Sequence, residues 1–168
     1  EAQSQVDLVG IATEAEAVAR VAAFAKGVPK GHWILGRGWD EGAWANHYPT
    51  QQLLSDRVPD HPVVLMGLHT FAVWGNRVPF GRARITRGTT APAGGEIKKD
   101  ASGNPTGVLL NNASSLLTSA MPAPTRAQLA ERVKSALDAM VGAGYTSVHE
   151  AGADADLLAA IEDLNNRQ

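Results

Sequence analysis

Apolar positions along the chain come in short clusters whose spacing switches between helical and extended. Val6-Asp7-Leu8 is a brief extended lead-in. Val18, Val21, Ala22 and Ala25 then recur at helical spacing. Thr13-Glu14-Ala15-Glu16 forms a capping box ahead of them, and Gly27 and Pro29 end the helix. Trp33-Ile34-Leu35 suits a buried strand, bracketed by glycines at 31, 36 and 38. Thr50 can cap a short helix carrying Leu53 and Leu54, and Val63-Val64-Leu65-Met66 reads as a second buried strand. A helix between two apolar runs predicts parallel pairing with a crossover. Residues 96–100 and 107–110, joined by Gly103-Asn104-Pro105-Thr106, predict a hairpin with a charged outer strand. Residues 112–121 predict a short helix. The clearest helix carries the stripe Leu129, Val133, Leu137, Met140 and Val141 behind a capping box at Thr125-Arg126-Ala127-Gln128. Residues 145–150 then read as a strand. Asp154 or Asp156 caps a last helix with Leu157, Leu158, Ile161 and Leu164 inward.

Composition narrows the classes. With 168 residues, 44% of them hydrophobic, the chain has material for one core and reads as one domain, 1–168. The formal net charge is −2 with no basic face, which argues against a nucleic-acid partner. No apolar run approaches the roughly 18 residues that span a bilayer, so no membrane role is expected and a cytoplasmic location is. Cysteine is absent, which excludes disulfides and thiolate metal sites.

Candidate chemistry gathers where strands end. Arg37, Trp39 and Asp40 emerge at the end of the first strand, where a strand hands over to a loop. His69 lies just past the second strand, at the carboxyl edge where open α/β sheets bind ligands, although a single imidazole more often has a surface or hydrogen-bonded role. Trp44, His47 and Tyr48 either line a pocket or pin a long loop, and pinning is favoured. Arg77, Arg82, Arg84 and Arg87 lie in a Gly- and Pro-rich stretch, 77–95, read as an irregular solvated face. The five histidines contain no H-x-H pair and no helical i, i+4 pair. His149-Glu150 opens like H-E-x-x-H, but Gly152-Ala153 follows and a strand would splay the pair.

Several of these stretches together resemble the YtcJ-like branch of the metal-dependent amidohydrolases. They are the V-D-L lead-in, G-x-W-I-L-G-R-G-W-D at 31–40, the G-G-E-I-K-K-D…G-N-P-T-G-V-L hairpin at 94–109, and G-Y-T-S-V at 144–148. The resemblance covers nearly the whole chain. It implies an α/β fold, a mixed α+β sandwich, with an inserted subdomain at 28–122 and partial elements of a TIM-type (β/α) barrel at 6–27 and 123–168. It departs from the family where Arg77 replaces a usual Ser in W-x-N-S, where His69 lies farther upstream than usual, and where Asn111 replaces an acid after G-V-L-x. The superfamily's metal ligands begin with H-x-H on a first strand, and none of that set is found here. A complete barrel takes about 250 residues.

The resemblance therefore implies a fragment of a metal-dependent amidohydrolase that cleaves a non-peptide C–N bond. This portion would shape the substrate pocket without catalytic residues of its own. Trp39, Asp40, His69 and Asn111 are the pocket candidates. No metal or other cofactor is expected in this chain, and a divalent metal, zinc by preference, is expected in the parent, with a small-molecule substrate. The chain alone should be inactive. It is also expected to self-associate, because the faces of helices 18–25 and 157–164 would lack the barrel strands they pack on. A free-standing ligand-binding or assembly module, and a small enzyme with an unseen site, are the alternatives.

Overall fold

The computed structural model describes residues 5–166. They divide into two compact units, Gln5–Met121 and, over the described residues, 122–166.

The larger unit is built on one mixed sheet. Its strands are β1 (Val6–Asp7), β2 (Ile34–Trp39), β3 (Val63–Gly67), β4 (Ala72–Gly75), β5 (Gly95–Lys99) and β6 (Pro105–Asn111). Their order across the sheet is β1-β2-β3-β4-β6-β5. The first three run parallel, and the remaining pairings are antiparallel. The helices are α1 (Glu14–Ala25), α2 (Gln51–Arg57), α3 (Arg77–Arg82) and α4 (Ser114–Thr118). The predicted parallel pair with a helical crossover is β2-α2-β3, and the predicted hairpin is β5-β6, with Ile97 opposite Leu109.

Strand alternation divides the core between the two faces of this sheet. Val63, Leu65, Ala72, Trp74, Val108 and Leu110 pack with Ala17, Val18 and Val21 of α1 and Leu54 of α2. Val64, Val73, Ile97 and Leu109 point the other way, to Phe80 of α3 and Leu117 of α4. The Thr13 hydroxyl accepts the Glu16 amide at 3.2 Å, one half of the predicted capping box, while the Glu16 carboxylate accepts the Ala12 amide at 3.3 Å instead of that of Thr13.

A register shift between Arg37 and Trp39 breaks the alternation in β2. It turns Trp39 to the same face as Ile34, although the two lie five positions apart, an odd spacing that alternation would put on opposite faces. Gly38 carries this bulge at φ +97°, and a Cβ there would lie 2.5 Å from Val9 Cγ2. Trp39, Trp44 and Trp74 then pack together with ring centroids 5.8 to 6.3 Å apart. Each indole N–H donates to a backbone carbonyl, of Leu65, Ile11 and Thr50 respectively. Trp44 is thus an anchor of its loop, as the pinning alternative held.

The smaller unit pairs α5 (Arg126–Gly142) with α6 (Ala155–Asn165). The Thr125 capping box is formed, with the Thr125 amide donating to Gln128 Oε1 at 2.9 Å. Asp154 caps α6 by accepting the Leu157 amide. Arg126 ties the two helices through Asp163, at 2.7 Å from Nε to Oδ2.

Four expectations are corrected. Residues 145–150 form no strand; among the described residues of this unit there is no strand for them to pair with. Residues 77–95 are not irregular throughout, because 77–82 are helical and Phe80 and Ile85 are buried. The helix expected at 112–121 is confined to Ser114–Thr118. The apolar face of α1 is not left open, since Val18 and Val21 lie in the core against β1 and β2. In α6, by contrast, Leu158 and Ile161 are exposed.

Candidate functional site

Parallel pairing sends the carboxyl ends of β2 and β3 to one edge of the sheet. Because β4 opposes β3 and β6 opposes β4, the end of β6 reaches the same edge. Trp39, Asp40, His69 and Asn111 all belong to it. Sequence spacing alone does not bring the last two to the first two; the strand order does.

The edge is closed by backbone hydrogen bonds. The Leu68 amide donates to the Trp39 carbonyl at 2.8 Å, carrying the β2–β3 ladder one step into the loops. Asp40 then starts a turn in which its carbonyl accepts the Ala43 and Trp44 amides and its Oδ1 accepts the Gly42 amide at 2.8 Å. On the other side the Thr70 amide donates to the Gly67 carbonyl, with Thr70 at φ +65°. Two tight turns therefore stand side by side.

Their side chains meet. Asp40, Glu41 and His69 each offer a ligating atom within 4.8 Å of the others, the one such cluster among the described residues. His69 Nδ1 lies 3.1 Å from Glu41 Oε1. The Glu41 side chain is only 13% exposed, whereas that of His69 is 58% exposed. Glu41 Oε2 is buried without a hydrogen-bond partner, beside Gly67. The His69 ring stacks on Phe71 at an interplanar angle of 23°. His47, at φ +56°, points Nδ1 at the Glu41 carbonyl at 3.1 Å.

The sequence candidates thus separate. Asp40 and His69 come together. Trp39 is wholly buried, so it carries the Asp40–Glu41 corner from below. Asn111 ends β6 at φ +51° and donates its amide to the Phe71 carbonyl, which places it next to the residue on which His69 stacks. Glu41 was missed. Its signal was its place directly after Trp39-Asp40, but nothing in the sequence distinguishes it from a solvated loop acid. His149 and Glu150 are exposed and lie in the smaller unit.

A second polar residue belongs to the scaffold. Asn76, the Asn of W-G-N-R, is fully buried. Its Oδ1 accepts the Val63 amide, and its Nδ2 donates to the Val58 and His61 carbonyls. It fastens the start of β3 to the end of β4, which keeps their other ends in register at the site.

The model of the amidohydrolase family matches residues 4–168. YtcJ of Bacillus subtilis (strain 168) is 31% identical over 150 residues, covering 89% of this chain and 28% of that protein. The N-substituted formamide deformylase of Arthrobacter pascens is 32% identical over 115 residues, covering 66% of this chain and 20% of that enzyme. An uncharacterised metal-dependent hydrolase from Pyrococcus horikoshii OT3 superposes with a TM-score of 0.70 at 20% identity, covering 98% of this chain and 31% of that one. The chain therefore spans under a third of the length of these relatives.

Proposed function

The chain belongs to the amidohydrolase family, and from that premise we propose that it forms one wall of the substrate pocket in a metal-dependent hydrolase of non-peptide C–N bonds. The observation that carries this reading is the convergence of Asp40, Glu41 and His69 at the carboxyl edge of β2 and β3, with Asn111 on the same edge. That edge is where α/β sheets present ligand-binding groups. Residues 28–122 would be the inserted subdomain, while 6–27 and 123–168 would contribute elements to a (β/α) barrel completed by other parts of a longer protein. The substrate class follows the deformylase relative: a small N-substituted formamide or a related N-acyl amine.

A divalent metal is implied for the whole protein by the metal-dependent hydrolases it resembles. Asp40, Glu41 and His69 do not fit it as a resident ion. His69 Nδ1 is engaged with Glu41 Oε1 at 3.1 Å, so an ion on that nitrogen would have to displace this contact. Asp40 Oδ1 already accepts the Gly42 amide, and the second Glu41 oxygen is buried, which leaves few free oxygens for an ion. In this reading the three residues bind and orient substrate, and the residues that would hold a metal lie elsewhere in the parent.

The test compares two proteins: this chain alone, and the longest reading frame that contains it. Each is loaded with zinc or manganese, cleared of excess, analysed for metal and assayed on N-formyl and N-acyl amines. The chain alone should retain no stoichiometric metal and show no turnover. The longer protein should hydrolyse the panel and lose activity on chelation. One tightly held metal per short chain, lost with activity in His69→Ala, overturns the pocket-wall reading.

A further inference from the structure

The Glu41–His69 pair has a direction. A carboxylate can only accept, so the 3.1 Å contact places the imidazole proton on Nδ1. In the neutral ring the opposite nitrogen, Nε2, then carries the lone pair, and the ring is the more exposed member of the pair, at 58%. The ring lies beside Phe71, with centroids 6.4 Å apart and an interplanar angle of 23°, and the next residue, Thr70, turns the backbone at φ +65°. The carboxylate is not free to leave. Its backbone is held by the Asp40 turn and by His47 Nδ1 at the Glu41 carbonyl. Among the described residues, His69 is the side chain that hydrogen-bonds this carboxylate, whose other oxygen is buried without a partner. A charge so placed depends strongly on the donor it has.

We propose that Glu41 is a positioning residue: it holds His69 in the Nδ1–H tautomer, so that Nε2 stands unprotonated at the pocket edge and accepts a hydrogen bond from an N–H of the substrate. The same logic sets the tautomer of histidines backed by carboxylates elsewhere. The recognised chemistry is an amide or amine N–H, a donor that both Nε2 and the neighbouring Asp40 carboxylate can receive. This rests on the pocket-wall reading for its ligand, but not for its geometry.

The tautomer is therefore read directly, on the chain as it stands, without metal or substrate. Long-range proton–nitrogen correlation spectra of uniformly 15N-labelled protein are recorded at a pH of about 8, above the ordinary imidazole range. His69→Gln identifies the signals of ring 69. The expected result is a ring predominantly protonated on Nδ1. Glu41→Gln, whose amide oxygen still accepts, should keep that state, and Glu41→Ala should shift it to predominantly Nε2–H. A wild-type ring found mainly as Nε2–H overturns the proposal, as does a Glu41→Ala ring that keeps Nδ1–H. Should Glu41→Ala fail to fold, the wild-type spectrum decides alone. Loss of hydrolase activity in the longer protein bears on the pocket-wall reading and leaves this measurement untouched. The ligand half is tested with n-butylamine and N-butylformamide as probes. A shift of the His69 Nε2 signal on titration supports it; no shift with either probe overturns it.

Discussion

Trp39 shows how one residue joins fold to site. Its indole is fully buried, touches Trp44 and Trp74, and donates to the Leu65 carbonyl across β3. Trp39→Ala should cost about 3–5 kcal/mol, as large-to-small core changes do. Denaturant unfolding checks this, and a midpoint unchanged from wild type would place the ring outside the core. Asp100 is a second single-residue case. The Asn104 amide, with further donors at Ser102 and Gly103, holds its carboxyl below the ordinary value. A lowered folded-state pKa means the contribution is present above the ordinary carboxylate range and lost as pH falls through the folded value. Acidification should therefore loosen the β5–β6 turn, seen as lower protection factors for the amides at 102–104 once the intrinsic slowing of exchange at low pH is divided out. Asp100→Asn should remove that pH dependence. The group is exposed, so the effect is local.

At the scale of elements, β2 depends on a residue without a side chain. Gly38→Ala would drive a Cβ into Val9 at a positive φ, whereas Gly81 in α3 has neither constraint, with no atom within 4 Å of an added Cβ. Gly38→Ala should destabilise by more than about 1 kcal/mol, and Gly81→Ala should be neutral or stabilise by about 0.4–1 kcal/mol. Thermal melts of the pair make the comparison, and equal shifts would dissociate the bulge from stability. The helices were legible because capping is local: the Thr13 hydroxyl accepts the Glu16 amide, and Thr125 and Gln128 satisfy one another, each within a single turn. The hairpin was legible for the same reason, its turn residues lying beside the strands they join. By contrast, β4 was missed. Ala72-Val73-Trp74-Gly75 is too short to show alternation, and it exists as a strand because β3 and β6 flank it on both sides.

For the whole molecule, the stretch at 145–150 carries a testable consequence of the barrel proposal. Its Tyr145 and Val148 are exposed and unpaired in any sheet among the described residues. In a longer protein that supplies neighbouring strands, its amides should become protected from hydrogen exchange relative to the chain alone. Equal exchange in both would argue against a barrel strand here. What the sequence determined by itself was whatever closes over a few residues: helix caps, the hairpin turn, the apolar runs of β2 and β3, and the motifs that mark the family. The tertiary structure decided what depends on residues distant in the chain. It set the strand order that brings β2, β3 and β6 to one edge, the bulge that turns Trp39 inward, and the meeting of Glu41 with His69 across 28 positions. Local rules could not reach these, because a hydrogen bond between two loops is specified by the ladder that sets them side by side, and that ladder is selected by burial on both faces of the sheet.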